Sequence, residues 1–512
     1  MTKGAVSPEV EAPGDGSRDL GRGAHVGRGG LFGRGDLFGQ RPWIPVVVFL
    51  STLAVQLALV IIAPPNVGLI ILVLAVAAAV VFAGLGSPTF AIALLLTISF
   101  FRLALPSDHL PVDPFVLAFI GVIGAAAVAI TRRVNRLPRL GALELMMVLY
   151  LAWNIGSELA PHSYPAMVPS TGEVLSPWRF ILTGAMVPFV LYVVGRFVFD
   201  RESAVRWLLW IVMGFFGYSA VVSIAEFAAP GLVWPRFIVT APDWPGRAVG
   251  IFNQPVVNGL LLVIGFVLAL FLANQASEPR WRRVIAAAGA VAAIPAIYLT
   301  HTRIVWLVFA VVLIAGALWA RKFRAGFVIT LIGAVVAVAA DWSALTSSDR
   351  AAGGVASTSE VDDRLNLAAT AIAAIKEKPF AGWGISRFIE FNTYQHKQWS
   401  PAIDWSRGYG IAAHHTELGI TAELGVVGLV LWLAVLVLLV RQMIVAVRAL
   451  PGDGLCGRGL ALAAVLAFAC WELTGQTVDL RYFDFLNALV FLLVGIVVGW
   501  ADRVPRARDV PR

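Results

Sequence analysis

The sequence has few charged residues and few cysteines. Only 14% of its 512 residues are Asp, Glu, Lys or Arg, and 59% are hydrophobic, whereas a soluble globular domain carries about 25% charged residues. There are two cysteines, Cys456 in a short loop and Cys470 inside an apolar run, and they indicate neither a disulfide framework nor a thiolate metal site. The composition therefore argues against a soluble domain and against redox chemistry.

The sequence also has no apolar stretch near Met1. We therefore expect no cleavable signal peptide, and the first membrane span should act as an uncleaved anchor. Residues 1–42 are rich in Gly, Arg and Asp, which predicts a disordered cytoplasmic tail. The formal net charge of +8 does not predict a nucleic-acid partner, because basic residues of membrane proteins accumulate in cytoplasmic loops for topological reasons.

Long apolar runs are abundant, and the mean hydropathy is +0.82. Runs of about 17 to 25 residues recur from Trp43 onward, and each could cross the roughly 30 Å hydrocarbon layer as a helix. None alternates as barrel strands do. We therefore predict an all-α fold, a polytopic transmembrane helix bundle of about 12–14 spans with one large folded extracytoplasmic loop. The candidate spans are 43–62, 67–85, 88–104, 114–130, 141–157, 179–197, 207–228, 250–272, 284–300, 304–320, 325–341, 417–440, 460–478 and 484–500.

The basic residues between these spans predict the topology. Alternate connecting segments are basic, so the positive-inside rule puts both termini in the cytoplasm. The predicted organisation after the tail is about 11 spans over 43–341, an extracytoplasmic loop at 342–416, about three spans over 417–500 and a cytoplasmic tail at 501–512. In the loop, Asp362 or Asp363 should cap a helix over 365–378 that Pro379 ends.

Two arginines lie at predicted outer ends of spans. Arg247 is in the segment GRAVGIFNQPVVNG, close to the amides of Asn253 and Asn258, and Arg303 is in THTRIVW between two spans. Arg247 could snorkel to the interface, and Arg303 could hold helix C-terminal carbonyls. Alternatively, the two guanidiniums could bind a diphosphate through planar, bidentate contacts without a metal.

Two histidines precede the span at 417–440. His414 and His415 are adjacent, so on a helix they would project about 100° apart and could not chelate a metal from one face. We predict no metal or cofactor site, and favour one histidine as a general base, since an imidazole pKa of about 6.5 suits proton removal from a hydroxyl. The alternative is a loop histidine that caps the helix.

The remaining polar and aromatic candidates are less specific. The loop aromatics, Trp383 among them, could stack on sugar rings, form the small core of a cap or rest on lipid headgroups. An internal ion-pair cluster is predicted near the thirteenth span, with a substrate role as the alternative. Its members are Glu472, Asp479, Arg481 and Asp484.

Four segments together resemble the O-antigen ligase and O-antigen polymerase superfamily of polytopic membrane glycosyltransferases. They are RAVGIFNQPVVNG, THTR, RLNLAATAIAAIKEKPFAGWGISRF and AHHTELGITAELGVVGLVLWL, and they cover about residues 245–440. The resemblance implies catalytic roles for Arg247, Arg303 and His414. His415 stands where the family usually has Asn, so which histidine acts stays open. The substrate-binding candidates are Arg364, His415, Asn253 and Trp383.

The resemblance also implies a function. It is the transfer or polymerisation of glycan from a polyprenyl-diphosphate-linked donor onto a sugar hydroxyl of a cell-envelope acceptor, with a histidine base and no metal, at the extracytoplasmic face of the cytoplasmic membrane. The expected partners are this donor, the acceptor, the lipid bilayer and envelope-assembly proteins. A transporter or flippase and a non-catalytic scaffold remain alternatives, and the sequence does not separate ligase from polymerase.

Overall fold

The computed structural model describes residues 87–105, 113–132, 139–340, 342–349 and 354–504, all within the compact unit Leu72–Arg512. Twelve helices in this part of the chain coincide with predicted spans. They are α1 Pro88–Phe100, α2 Pro114–Thr131, α3 Ala142–Leu159, α4 Pro177–Val198, α5 Glu202–Ala228, α6 Pro255–Ala273, α7 Arg280–Leu299, α8 Arg303–Trp319, α9 Arg324–Ala340, α10 Thr416–Ala449, α11 Arg458–Gly475 and α12 Asp484–Arg503. The predicted tail at 1–42, the spans at 43–62 and 67–85, and the last residues of the C-terminal tail lie outside the described residues.

The all-α helix bundle is confirmed. Among the described residues, eight helices are long and apolar enough to cross a membrane, and three further apolar helices, α1, α8 and α9, are shorter. The described strands are limited to a two-stranded antiparallel hairpin, β1 Met167–Val168 and β2 Glu173–Val174. The chain is therefore a multi-pass membrane protein.

Two helices form the centre of the bundle. Most residues of α6 and of α12 are buried, as expected of helices that are apolar on all sides. α12 packs along α4, and α6 packs on α7 and α11. Gly495 of α12 faces the carbonyl of Tyr192 so closely that a Cβ would collide with it, which is how small residues allow membrane helices to approach.

The described part of the segment between α9 and α10 folds into a cap. It contains the short helices Trp342–Leu345 and Phe388–Tyr394 and a 19-residue helix, Ser359–Glu377, called here the cap helix. The prediction that Asp362 or Asp363 is the N-cap of this helix was wrong, because the helix begins earlier. Thr358 is at the N-cap position, and Asp362 and Asp363 lie inside the helix. Acidic residues in a first turn interact favourably with the helix dipole, so they extend this helix rather than start it.

A small apolar core of its own holds the cap together. It is separate from the core of the membrane helices and consists of buried side chains from the cap and from the start of α10. Its members are Leu367, Ala371, Ala374, Phe388, Phe391, Ala413 and Ala422, with Tyr164, Ile375, Trp383 and Leu418 packed against them.

A break in α10 fixes the cap to the bundle. Gly425 has φ 69° and ψ −174°, a region essentially restricted to glycine, and the helix is interrupted there. The carbonyls of Ala422 and Glu423 instead accept hydrogen bonds from the backbone N–H groups of Trp383, at 3.0 Å, and Gly384, at 2.9 Å. The GWG turn of the cap is therefore bonded directly to the backbone of a membrane helix.

The other short elements lie in connections between the helices. They are 3₁₀ turns at Arg102–Ala104, Pro230–Leu232, Gly250–Phe252 and Leu480–Tyr482, and a four-residue helix at Phe237–Thr240. Within α4, residues Leu182–Met186 form a π-helical turn. A glycine in that turn, Gly184, lies against Arg481, whose Cβ would be 3.1 Å from an added methyl group, so the wide turn makes room for the loop before α12.

Candidate functional site

Arg247 lies in a loop that buried polar groups hold in place. Glu226, near the end of α5, accepts the backbone N–H groups of Val249 at 3.0 Å and Gly250 at 2.9 Å. His301 binds the carbonyl of Gly246 through Nδ1 at 2.8 Å, and because a carbonyl only accepts, Nδ1 carries the proton. This scaffold presents the guanidinium of Arg247 beneath the cap, where it is 15% exposed and lies over the ring of Trp244 at 5.1 Å.

The side-chain amides of Asn258 and Asn253 also hold this loop in place. Asn258 donates through Nδ2 to the carbonyl of Ala248 at 3.1 Å and to the hydroxyl of Ser223 at 2.8 Å. Asn253 has φ 49°, and its side-chain oxygen accepts the backbone N–H of Asp243 at 3.1 Å. The polar groups near the membrane end of α6 thus hold the loop that carries Arg247, and Asn253 itself binds backbone on the far side of that loop.

Arg303 is the first residue of α8, after a connector of only three residues, Thr300 to Thr302. Two of its contacts reach the cap. Its Nη2 donates to the carbonyl of Ser357, just before the cap helix, at 2.6 Å. It also lies 3.9 Å from Oε2 of Glu360.

Glu360 brings the two arginines together. Its Oε1 accepts from Nη2 of Arg247 at 2.6 Å, while its Oε2 faces Arg303. One carboxylate is therefore shared between two guanidiniums, one from the loop before α6 and one from the start of α8. The structure thus brings Arg247 and Arg303 to one shared anion.

The cap helix links this arginine pair to His414. Glu360 and Arg364 are four residues apart on it, so they project from the same face. Burial lowers the pKa of His414 from its usual value of 6.5, the positive charge of Arg364 lowers it further, and the negative charges of Asp479 and Glu360 act in the opposite direction. Arg247, Arg303, Arg364 and His414 therefore belong to one electrostatically connected site.

The two histidines have different surroundings. His415 is the N-cap of α10, where its Nδ1 accepts the backbone N–H of Leu418 at 3.4 Å and lies 3.3 Å from Oε2 of Glu417. His414 has φ 40°, a left-handed conformation that costs a non-glycine residue about 1 to 3 kcal/mol. The capping role considered for this pair is thus filled by His415, while the strained, partly buried His414 faces the charges of the site.

Trp383 lies in the core of the cap. Its Nε1 donates to the carbonyl of Ala374 at 3.0 Å, its ring centroid is 4.8 Å from that of Phe391, and Nζ of Lys378 lies 3.9 Å from its ring centre. Of the three uses considered for the loop aromatics, its contacts match a residue of the cap core.

A buried ion-pair cluster lies next to the site. Arg481 donates to Glu423 at 2.8 Å and to Asp479 at 2.6 Å, and all three side chains are 5% exposed or less. The predicted cluster is confirmed for Asp479 and Arg481. It is wrong for Glu472, which accepts a hydrogen bond from Gln476 at 3.4 Å, and for Asp484, which binds Arg102 at 2.6 Å. Asp484 begins α12 and points toward Arg102, which follows α1. The carboxylates of Asp479 and Asp484 therefore bind different arginines.

The sequence reasoning overlooked Glu360, Glu226 and His301. Glu226 and His301 are single polar residues at helix ends, and only the fold brings them to the backbone around Arg247. Glu360 had one usable signal: two arginines proposed to share a site require a nearby negative charge when no substrate is bound. Within the described residues, no three His, Cys, Asp or Glu side chains are grouped as metal ligands would be.

Comparison with known proteins supports the resemblance. Residues 288–433 match the family model described as O-antigen ligase. The matched segment runs from α7 to α10, so it includes Arg303, the cap and both histidines but begins after Arg247. No curated protein matches the chain.

Proposed function

We propose that this multi-pass membrane protein, whose residues 288–433 match the family model described as O-antigen ligase, moves glycan from a polyprenyl-diphosphate-linked donor onto a sugar hydroxyl of an envelope acceptor. The observation that carries the proposal is the convergence of Arg247 and Arg303 on one carboxylate. Guanidinium groups bind carboxylate and phosphate oxygens with the same planar geometry. The oxygens of Glu360 therefore stand where phosphate oxygens of the donor would lie.

The arginines would act on the leaving group. When the bond between the anomeric carbon and the phosphate oxygen breaks, the diphosphate departs with the electron pair and gains negative charge. A diphosphate is a weak base, so it needs charge stabilisation more than protonation. Hydrogen-bond donors that are already positioned for the developing charge each typically raise the rate by a factor of about 10² to 10³.

His414 would act on the acceptor. Its lowered pKa keeps the imidazole neutral at neutral pH, as a general base must be. It takes the proton of the acceptor hydroxyl as that oxygen forms a bond to the anomeric carbon. Direct displacement of this kind inverts the anomeric configuration, and neither a metal nor another cofactor takes part.

The proposed location is the cytoplasmic membrane, with the cap on its extracytoplasmic face. An activated lipid-linked sugar is the suitable donor there, because nucleotide sugars are made and used in the cytoplasm. Arg364 would add a further positive charge for the donor. The identity of the envelope acceptor distinguishes the two variants of the reaction: another lipid-linked repeat for a polymerase, or a completed core or wall polymer for a ligase.

The test is transfer by the purified full-length protein in lipid nanodiscs. It is supplied with a polyprenyl-diphosphate oligosaccharide and acceptor glycan in EDTA, and a polyprenyl-monophosphate oligosaccharide serves as the matched donor control. We expect a new glycosidic bond of inverted configuration from the diphosphate only. Movement of the lipid-linked glycan across the membrane of a vesicle, without a new bond, would instead establish the transporter alternative.

A deletion strain separates the two acceptor classes. Loss of long surface chains would indicate polymerisation, whereas accumulation of complete but unattached chains would indicate ligation.

A further inference from the structure

We infer that Glu360 is a positioning residue that occupies the diphosphate site while the donor is absent and leaves it when the donor binds. The inference rests on the proposed function, since it assigns the same two arginines to the donor. It adds a third residue, with a negative charge, to a site described so far by its positive ones. It also makes the cap helix, which carries Glu360, part of donor recognition.

The geometry gives Glu360 the position of a substrate anion. Its two carboxylate oxygens are divided between Arg247, at 2.6 Å, and Arg303, at 3.9 Å. These side chains are 15% and 27% exposed, and that of Glu360 is 25% exposed. In such a partly desolvated place two guanidiniums repel each other unless an anion lies between them, so the carboxylate stabilises the arginine pair in the donor-free protein.

The same electrostatics make the carboxylate and the donor mutually exclusive. A diphosphate brings more negative charge to the same N–H donors, and a carboxylate held among its oxygens would repel it. Only an anion that binds the two arginines better than a carboxylate does can take its place. The exchange therefore favours a diphosphate over a monophosphate or a carboxylated lipid.

The position of Glu360 in the chain allows the exchange. It is the second residue of the cap helix, so its side chain can leave the arginines without breaking the packed middle of that helix. Arg303 would stay bonded to the carbonyl of Ser357 at 2.6 Å. Arg364 lies one turn further along the same face, and its positive charge lowers the pKa of His414. A movement at the start of this helix would therefore alter the electrostatic surroundings of the proposed base.

The experiment measures binding of farnesyl diphosphate to the full-length protein in detergent, with farnesyl monophosphate as the second probe. The variants are Glu360→Gln, which keeps the shape and removes the charge, and Glu360→Asp, which keeps the charge. Glu360→Ala is the substitute if the Gln protein does not fold, because Ala is the best helix former. Glu377→Gln, on an exposed residue at the other end of the cap helix, is the control for lost net charge.

We expect Glu360→Gln to bind farnesyl diphosphate about three- to tenfold more tightly than the wild type, with a correspondingly lower KM for the lipid-linked donor. Selectivity against the monophosphate should fall in the same variant. Glu360→Asp should restore the weaker binding, and Glu377→Gln should match the wild type.

A residue that merely anchors the cap would give the opposite sign, since its loss would weaken binding. Unchanged or weaker binding by folded Glu360→Gln, in a protein whose Arg247→Gln variant loses binding, would overturn the inference and leave the proposed function standing. If the wild type does not bind farnesyl diphosphate, or if Arg247→Gln binds it equally well, the arginine site itself is refuted, and the inference with it.

Discussion

Arg247 and Glu360 are 113 positions apart in the sequence, and their side chains form an ion pair with a nitrogen to oxygen distance of 2.6 Å. Arg247 comes from a loop at the end of the membrane helices, and Glu360 comes from the cap. Arg303 approaches the same carboxylate from a third segment. The site therefore exists only when the cap is docked on the bundle.

The first prediction separates the two adjacent histidines. His415→Asn should retain both transfer activity and stability, because Asn is among the best N-cap residues. His415→Ala should lose about 1 kcal/mol of unfolding free energy through the lost cap. His414→Gln should abolish transfer without a comparable loss of stability. Initial transfer rates and thermal unfolding in one detergent measure both effects, and an inactive His415→Asn beside an active His414→Gln would reverse the assignment.

The second prediction concerns pH. Burial and the charge of Arg364 lower the pKa of His414 below 6.5, and the base acts in its neutral form, so kcat should stay high at pH 6.5 and fall only at more acidic pH. In Arg364→Gln the loss of the positive charge raises the pKa of His414, so the acid limb of the kcat profile should move to higher pH. The profile of Lys376→Gln, an exposed residue of the same helix, should stay in place. An acid limb that is unmoved in Arg364→Gln would contradict the electrostatic link.

The third prediction concerns the buried ion-pair cluster of Arg481, Glu423 and Asp479 next to the site. Arg481→Met would leave Glu423 and Asp479, which are 2% and 3% exposed, as buried carboxylates without their cation. The expected loss is about 3 to 5 kcal/mol of unfolding free energy. Lys322→Met is the control, since its ion pair with Asp453 is exposed and should contribute under about 1 kcal/mol. Equal losses from the two variants, measured by denaturant unfolding, would show that the cluster does not stabilise the fold.

The fourth prediction concerns the break in α10. Gly425→Ala should prevent the cap from docking, because the backbone at this position is restricted to glycine and a Cβ would collide with the carbonyl of Phe380. We expect poor yield of folded protein and rapid proteolysis of the cap. Gly452→Ala is the matched control: a Cβ there meets nothing within 4 Å. A Gly425→Ala protein with a protease-resistant cap would refute this account of docking.

The membrane helices could be predicted from the sequence because their signal is local. Apolar runs of spanning length are sufficient to locate a helix, and the twelve predicted spans that fall among the described residues are all helical. The break at Gly425 could not be found in this way, since AELGVVGLV is typical of a continuous helix. It depends on hydrogen bonds from Trp383 and Gly384, residues of the cap some forty positions earlier, which only the folded chain supplies.

The site could be predicted in part for the same reason. Arg247, Arg303 and His414 stand out because charged or titratable groups at the ends of apolar helices are costly. Glu360 did not, because an acidic residue in the first turn of a helix is already explained by the helix dipole. Its contact with the two arginines is a tertiary one, and so is the division of roles between His414 and His415, which depends on where α10 begins.

The most direct test of the central claim is glycan transfer by Arg247→Gln, Arg303→Gln and the double variant, from a polyprenyl-diphosphate donor in nanodiscs. Arg236→Gln is the control, because Arg236 lies in the same loop as Arg247 and binds only the carbonyls of Pro230, Gly231 and Val233 among the described residues. The account predicts that each single variant loses about 10²- to 10³-fold in rate, that the double variant loses less than the product of the two, and that Arg236→Gln keeps its activity. Wild-type transfer rates in folded Arg247→Gln and Arg303→Gln proteins would contradict it.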